Sequence, residues 1–91
     1  MQYWQVLWHH DFPDEPVVLF SEIDDRGYET RKVERFRDGR LGWADETVAA
    51  GGTMLGEVPV GSIVDVDAQA EFTAVVIPEA RFDAAWRRAR G

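Results

Sequence analysis

The chain has 91 residues, of which 45% are hydrophobic and 12% aromatic; it has no cysteine and carries a net charge of −7. That length holds one domain, the apolar share excludes wholesale disorder, and the missing thiols exclude disulfides, thiolate metal sites and a cysteine nucleophile. Acids and bases are segregated. Residues 1–25 hold six acids and no base, 26–40 six bases and three acids, 41–80 seven acids and no base, and 81–91 four arginines and one aspartate. An acidic domain repels nucleic acid at long range, although two basic segments remain.

The opening MQYWQVLWHH alternates and lacks a basic n-region, so it reads as neither signal peptide nor membrane span. With the absent cysteine, this gives the expectation of a cytoplasmic protein. Residues 3–10 form a strand with Trp4, Val6 and Trp8 on one face, expected buried, and Tyr3, Gln5 and Leu7 on the other. Phe12-Pro13-Asp14-Glu15-Pro16 is a connection, because proline cannot donate to a ladder. Val17–Ile23 is a second strand, closed by a turn at Asp24–Gly27.

Asp38-Gly39 signals a type I′ hairpin between strands starting near Tyr28 and ending near Glu46. A two-residue loop pairs Phe36 with Leu41, Glu34 with Trp43, Lys32 with Asp45 and Arg31 with Glu46, and it turns Phe36, Leu41 and Trp43 inward. Val33 falls out of phase, which calls for a bulge near Val33–Arg35. Val48–Thr53 reads as a flexible loop, and Ser62 with Asp65 as the start of a short helix over 63–70. Phe72–Ile77 is a strand, and Pro78 opens a terminal helix with Phe82, Ala85, Trp86 and Ala89 on one stripe. The fold class is therefore α+β: an antiparallel sheet of four to five strands with a C-terminal helix packed on one face.

The stretch WHHDFPDEP, residues 8–16, looks most like chemistry. Adjacent strand residues point to opposite faces, so His9 and His10 cannot both ligate one metal while the strand stays regular. No nucleophile-elbow motif surrounds Ser21 or Ser62, and GGTMLG (residues 51–56) lacks the Lys-Ser/Thr of a phosphate loop. The expectation is no catalytic residue, no metal and no cofactor. Two binding surfaces remain. The acidic loops, with His9, His10, Asp11, Asp14, Glu15, Asp24 and Asp25, suit a basic protein partner drawn in by electrostatic steering. Arg31, Arg35, Arg37 and Arg40, on one hairpin, offer guanidinium forks to an anion. Nucleic acid is the weaker candidate there, because the hairpin's aromatics fall on the other face. Ordinary solvation explains either charged surface equally simply. Nothing in the pattern calls for a membrane partner, and a homodimer through an edge strand or an exposed Trp surface is compatible with it.

Long segments carry a resemblance: YWQVLWHHDFPDEPVVLFSEID (3–24), GYETRKVERFRDGRLGWADE (27–46), GGTMLGEVPV (51–60) and EFTAVVIPEARFDAAW (71–86). The chain resembles a small uncharacterised bacterial family, a domain of unknown function found in actinobacteria. That resemblance implies no activity and carries over no catalytic residue. Small size and a bacterial setting are similar to those of immunity proteins that neutralise toxins. The alternating run SIVDVDAQA (62–70) departs from the more acidic helical run of the family, which leaves helix and strand both open for 63–70.

Overall fold

Period-two alternation in the first 25 residues produces two long strands, β1 (Gln2–Trp8) and β2 (Pro16–Ile23). The computed structural model describes residues 1–91 and continues with β3 (Glu29–Phe36), β4 (Leu41–Asp45), β5 (Ala49–Ala50), α1 (Ile63–Asp67), β6 (Phe72–Val76) and α2 (Glu79–Arg90). The strands form one sheet in the order β5-β4-β3-β2-β1-β6, with every neighbouring pair antiparallel. The expected four to five strands are thus six. The addition is β5, inside the segment read as a flexible loop, where Ala50 pairs with Trp43 and Ala49 with Ala44.

The pleat of β1 divides the apolar side chains between two faces. On one, Trp4 and Val6 pack with Ile23 and Ala74 beneath Ile63 and Val66 of α1. On the other, Val33, Ile77, Phe82 and Trp86 pack with Tyr3, Phe20 and Trp43 beneath α2. The helical stripe Phe82/Trp86 is the one its spacing predicts, and it lies on the Tyr3 face, not the Trp4 face. Pro78 stands one residue outside the helix as its N-cap. Residues 63–67 are helical, with the Ser62 hydroxyl accepting from Val64 N–H at 3.2 Å.

The β3–β4 hairpin is offset by one residue from its expected register. Val33 opposes Trp43 and Arg35 opposes Leu41, because the connection takes in Arg37, Asp38 and Gly39. Phe36 N–H donates to Arg40 O at 2.9 Å, and Gly39 sits at φ 92°, a left-handed conformation that suits glycine. A one-residue slip exchanges faces. Val33 therefore lies in phase under α2 and needs no bulge, while Phe36 sits on the face opposite Trp43. The irregularities lie instead between β2 and β3, at Pro16/Val18 and Glu22/Ile23. On the Phe36 side the chain folds back over Gly42, where a Cβ would collide with Thr53 Oγ1; that hydroxyl, fully buried, donates to Glu34 Oε1 at 2.8 Å.

β6 is the long free edge, and it is partly guarded. Phe72 N–H donates to Gln69 O at 3.0 Å and Ala74 N–H to Asp67 Oδ1 at 2.8 Å, so two outward donors are already taken. Unpaired edge donors invite another strand. Asp67→Ala should cost about 1 kcal/mol and, more tellingly, promote self-association beside the exposed Val75 and Val76. Light scattering across a concentration series checks this: a variant that stays as monodisperse as the parent removes the guarding role.

Candidate functional site: the braced β1–β2 loop

β1 ends at Trp8, and the two histidines that follow go separate ways. His9 stays with the edge strand, its N–H donating to Glu71 O at 2.7 Å and its Nε2 lying 2.8 Å from Thr73 Oγ1. His10 turns back into the loop. Its Nδ1 accepts from Phe12 N–H at 2.9 Å, which leaves Nε2 to carry the proton and donate to Pro16 O at 2.7 Å. That pattern fixes one neutral tautomer and spends both ring nitrogens on backbone. Arg37 Nη2 clamps the same residue from β3's end, donating to His10 O at 2.6 Å.

Aromatic packing completes the brace. The His10 ring lies 4.2 Å from that of Trp8 and stacks on Phe12 at 5.4 Å, and Trp8 also contacts Phe72 at 6.1 Å. Trp8 Nε1–H is enclosed here without a protein acceptor. Phe12 remains 59% exposed at the loop tip, flanked by the exposed Asp11, Pro13, Asp14 and Glu15. No three His, Cys, Asp or Glu side chains converge to hold a metal ion.

Of the four depressions that border this loop, two are lined by Trp8. A broad groove of about 770 Å³ runs over Leu7 and Val18, the sheet row beyond α2, with Arg35 and Arg37 at its side. A smaller recess of about 400 Å³ is formed by Trp8, Phe12, Pro13, Asp14 and Glu15.

His9, His10, Asp11, Asp14 and Glu15 all lie at one end of the sheet, around the β1–β2 connection, without converging on one pocket, and Asp24 and Asp25 lie at the far end of β2. Eight strand residues put roughly 25 Å between the two acidic loops. Asp24 Oδ1 is occupied in closing its own turn, accepting from Arg26 N–H at 2.9 Å and Tyr28 N–H at 3.0 Å. Asp25 lies 3.4 Å from the N-terminal amine.

The four hairpin arginines do not share a face either. Arg31 lies against α2, bonded to Glu22 through Nε at 3.0 Å and Nη2 at 2.5 Å, and to Asp83 at 3.2 Å. Those bonds hold the Glu22 carboxyl below the ordinary glutamate range against the opposing effect of burial, and they push the guanidinium pKa up. Burial, and then the carboxylates of Glu22 and Glu79, push the neighbouring Tyr3 phenol up. Arg40 covers Phe36 at 4.3 Å on the other side of the sheet. Of the four, only Arg35 and Arg37 border the groove; both are exposed and neither forms an ion pair, but Arg37 is engaged by His10 O while the Arg35 side chain makes no hydrogen bond.

Sequence reasoning missed Phe12 as an exposed ring and Glu22–Arg31–Asp83 as a network. An aromatic inside a proline-flanked acidic loop was a usable signal for the first. The second joins β2, β3 and α2 and leaves no local trace.

A family model described as "Domain of unknown function (DUF6881)" matches residues 2–91. No curated protein and no solved structure matches the chain. With all but its first residue matched, the chain belongs to the DUF6881 family.

Proposed function

We propose that this domain is a non-enzymatic protein-binding module, of the immunity or antitoxin kind, that docks a basic partner through the Asp11–Glu15 loop. The observation that carries the reading is Phe12: an aromatic side chain 59% exposed, on an acidic loop held in place by His10 and Arg37. Interface energy concentrates in a few aromatic or arginine anchors ringed by polar groups, and a loop ordered in advance avoids the entropy cost of docking. The surrounding carboxylates would steer a cationic partner and exclude an anionic one. Asp24 and Asp25, at the opposite end, would add to the long-range field and not to the contact.

A second reading keeps a specific feature, Arg35 beside the Leu7/Val18 groove, and makes the domain a binder of nucleic acid or another anion. One experiment separates the two. Tagged wild type, an Asp11→Lys/Asp14→Lys variant and an Arg35→Ala/Arg37→Ala variant are used as baits in the source cells. The module reading expects one basic protein held by wild type and the arginine variant, and released by the charge reversal. Nucleic acid retained by wild type and lost only from the arginine variant would replace it with the second reading, and three baits with the same retained set would sink both.

A further inference from the structure

We propose that the recess between Trp8 and Phe12 is the seat for a single arginine side chain of the protein partner, an inference that rests on the binding-module reading above. The two rings stand 6.4 Å apart at 57°, and Pro13, Asp14 and Glu15 complete the lining. Neither carboxylate has a cation: the protein's four ion pairs join Asp25 to the N-terminus, Glu22 and Asp83 to Arg31, and Glu29 to Lys32. An aromatic corner beside unpaired carboxylates matches a planar cation, which stacks on a ring face while its N–H fork reaches the oxygens.

Elsewhere in the molecule four aromatic rings carry an arginine of the same chain. Arg31 lies over Phe82 and Trp86 at 4.8 and 5.2 Å, Arg40 over Phe36, and Arg90 over Trp43 at 5.0 Å. Trp8 and Phe12 form an aromatic pair with no arginine of this chain on it. A neutral apolar occupant would strip water from Asp14 and Glu15 without replacing their hydrogen bonds. An anion would meet like charge. Guanidinium is more weakly hydrated than ammonium and presents a flat face, so arginine should outrank lysine. Because His10 already stacks on Phe12 and holds its N–H, little ordering remains to be done on binding.

The test is an NMR titration of the isotope-labelled 91-residue chain with a short oligo-arginine peptide, set against oligo-lysine and oligo-citrulline peptides of equal length. The expected result is a shift of the Trp8 indole and Phe12 amide signals with oligo-arginine, weaker binding of oligo-lysine and none of oligo-citrulline. Phe12→Ala and Asp14→Asn/Glu15→Gln should each weaken oligo-arginine binding roughly tenfold, the size of a partly desolvated cation–π contact. Asp25→Ala, at the far acidic loop, should bind like wild type. Phe12 is exposed, so its truncation leaves the fold in place, and a thermal melt verifies that. Equal binding of the lysine peptide, or wild-type binding by both recess variants, overturns the seat. In the latter case a basic partner captured by the baits above would still stand, held by diffuse charge alone.

Discussion

Truncating Phe82 to alanine should cost about 3–5 kcal/mol, the usual range for deleting a fully buried phenylalanine. Phe82 has no exposed surface, and its ring is gripped from three sides: Tyr3 at 5.4 Å, Trp86 at 6.3 Å and the Arg31 guanidinium at 4.8 Å. The side chain cannot be replaced by local collapse. Tyr3 and Arg31 are fixed to β1 and β3, and Trp86 belongs to the same helix, so α2 would have to slide to close the gap. A cavity bordering a guanidinium also admits water beneath the helix. Small domains hold about 5–15 kcal/mol in total, so the variant should stand near its unfolding threshold at ambient temperature. At about 4–8 °C per kcal/mol, its melting point should fall by well over ten degrees. Urea unfolding measures the loss directly, with Phe12→Ala as the exposed control. A cost below about 1 kcal/mol, typical of an average substitution, would mean that α2 is not anchored through this ring.

What was legible in the sequence follows the range of the forces involved. The β1 alternation, the Phe82/Trp86 stripe and the strand at residues 72–76 are set by side-chain periodicity against one burying surface, and they sit where that periodicity puts them. The α+β class follows from them. The hairpin register depends on whether Asp38-Gly39 closes a two-residue loop or ends a longer one, and both satisfy the same dipeptide. Val33 was the clue: a lone β-branched residue out of phase with its strand is better explained by a slip than by a bulge. β5 carries too little pattern to be seen, being two alanines held by pairing with Trp43 and Ala44. At the candidate site, the divergence of the two histidines was legible, but its cause was not. The strand stops at Trp8, and the His10 ring is captured by backbone groups at Phe12 and Pro16, contacts that exist only once the loop has closed. The arginine cluster dissolved for a tertiary reason as well, since α2 supplies Asp83 and the aromatic faces that claim Arg31.

Arg31→Met should be the most damaging polar substitution, at about 3 kcal/mol near neutral pH, because removing one member of a buried pair strands the other's charge. Methionine keeps the apolar stem that lies along Phe82 and Trp86, so the loss reports on charge more than on packing. The stranded group is Glu22, only 7% exposed, which would keep the Thr30 hydroxyl at 2.7 Å but lose both guanidinium bonds. Acid separates this account from a simple packing defect. In the wild type, Arg31 holds the Glu22 carboxyl below its ordinary range. A lowered folded-state pKa contributes stability that is present above the unfolded glutamate value and lost as pH falls through the folded one. The variant has no such contribution to lose, and burial favours its protonated Glu22. Wild type and Arg31→Met should therefore converge as pH drops through and below the ordinary glutamate range. Adding Glu22→Gln to Arg31→Met removes the stranded charge while leaving an amide that can still meet Thr30, so the double variant should recover part of the loss at neutral pH. Urea denaturation of the three proteins at neutral and acidic pH decides it. A gap that stays constant with pH, or a double variant weaker than Arg31→Met, would show that Arg31 holds α2 to the sheet through its stem and not through its charge.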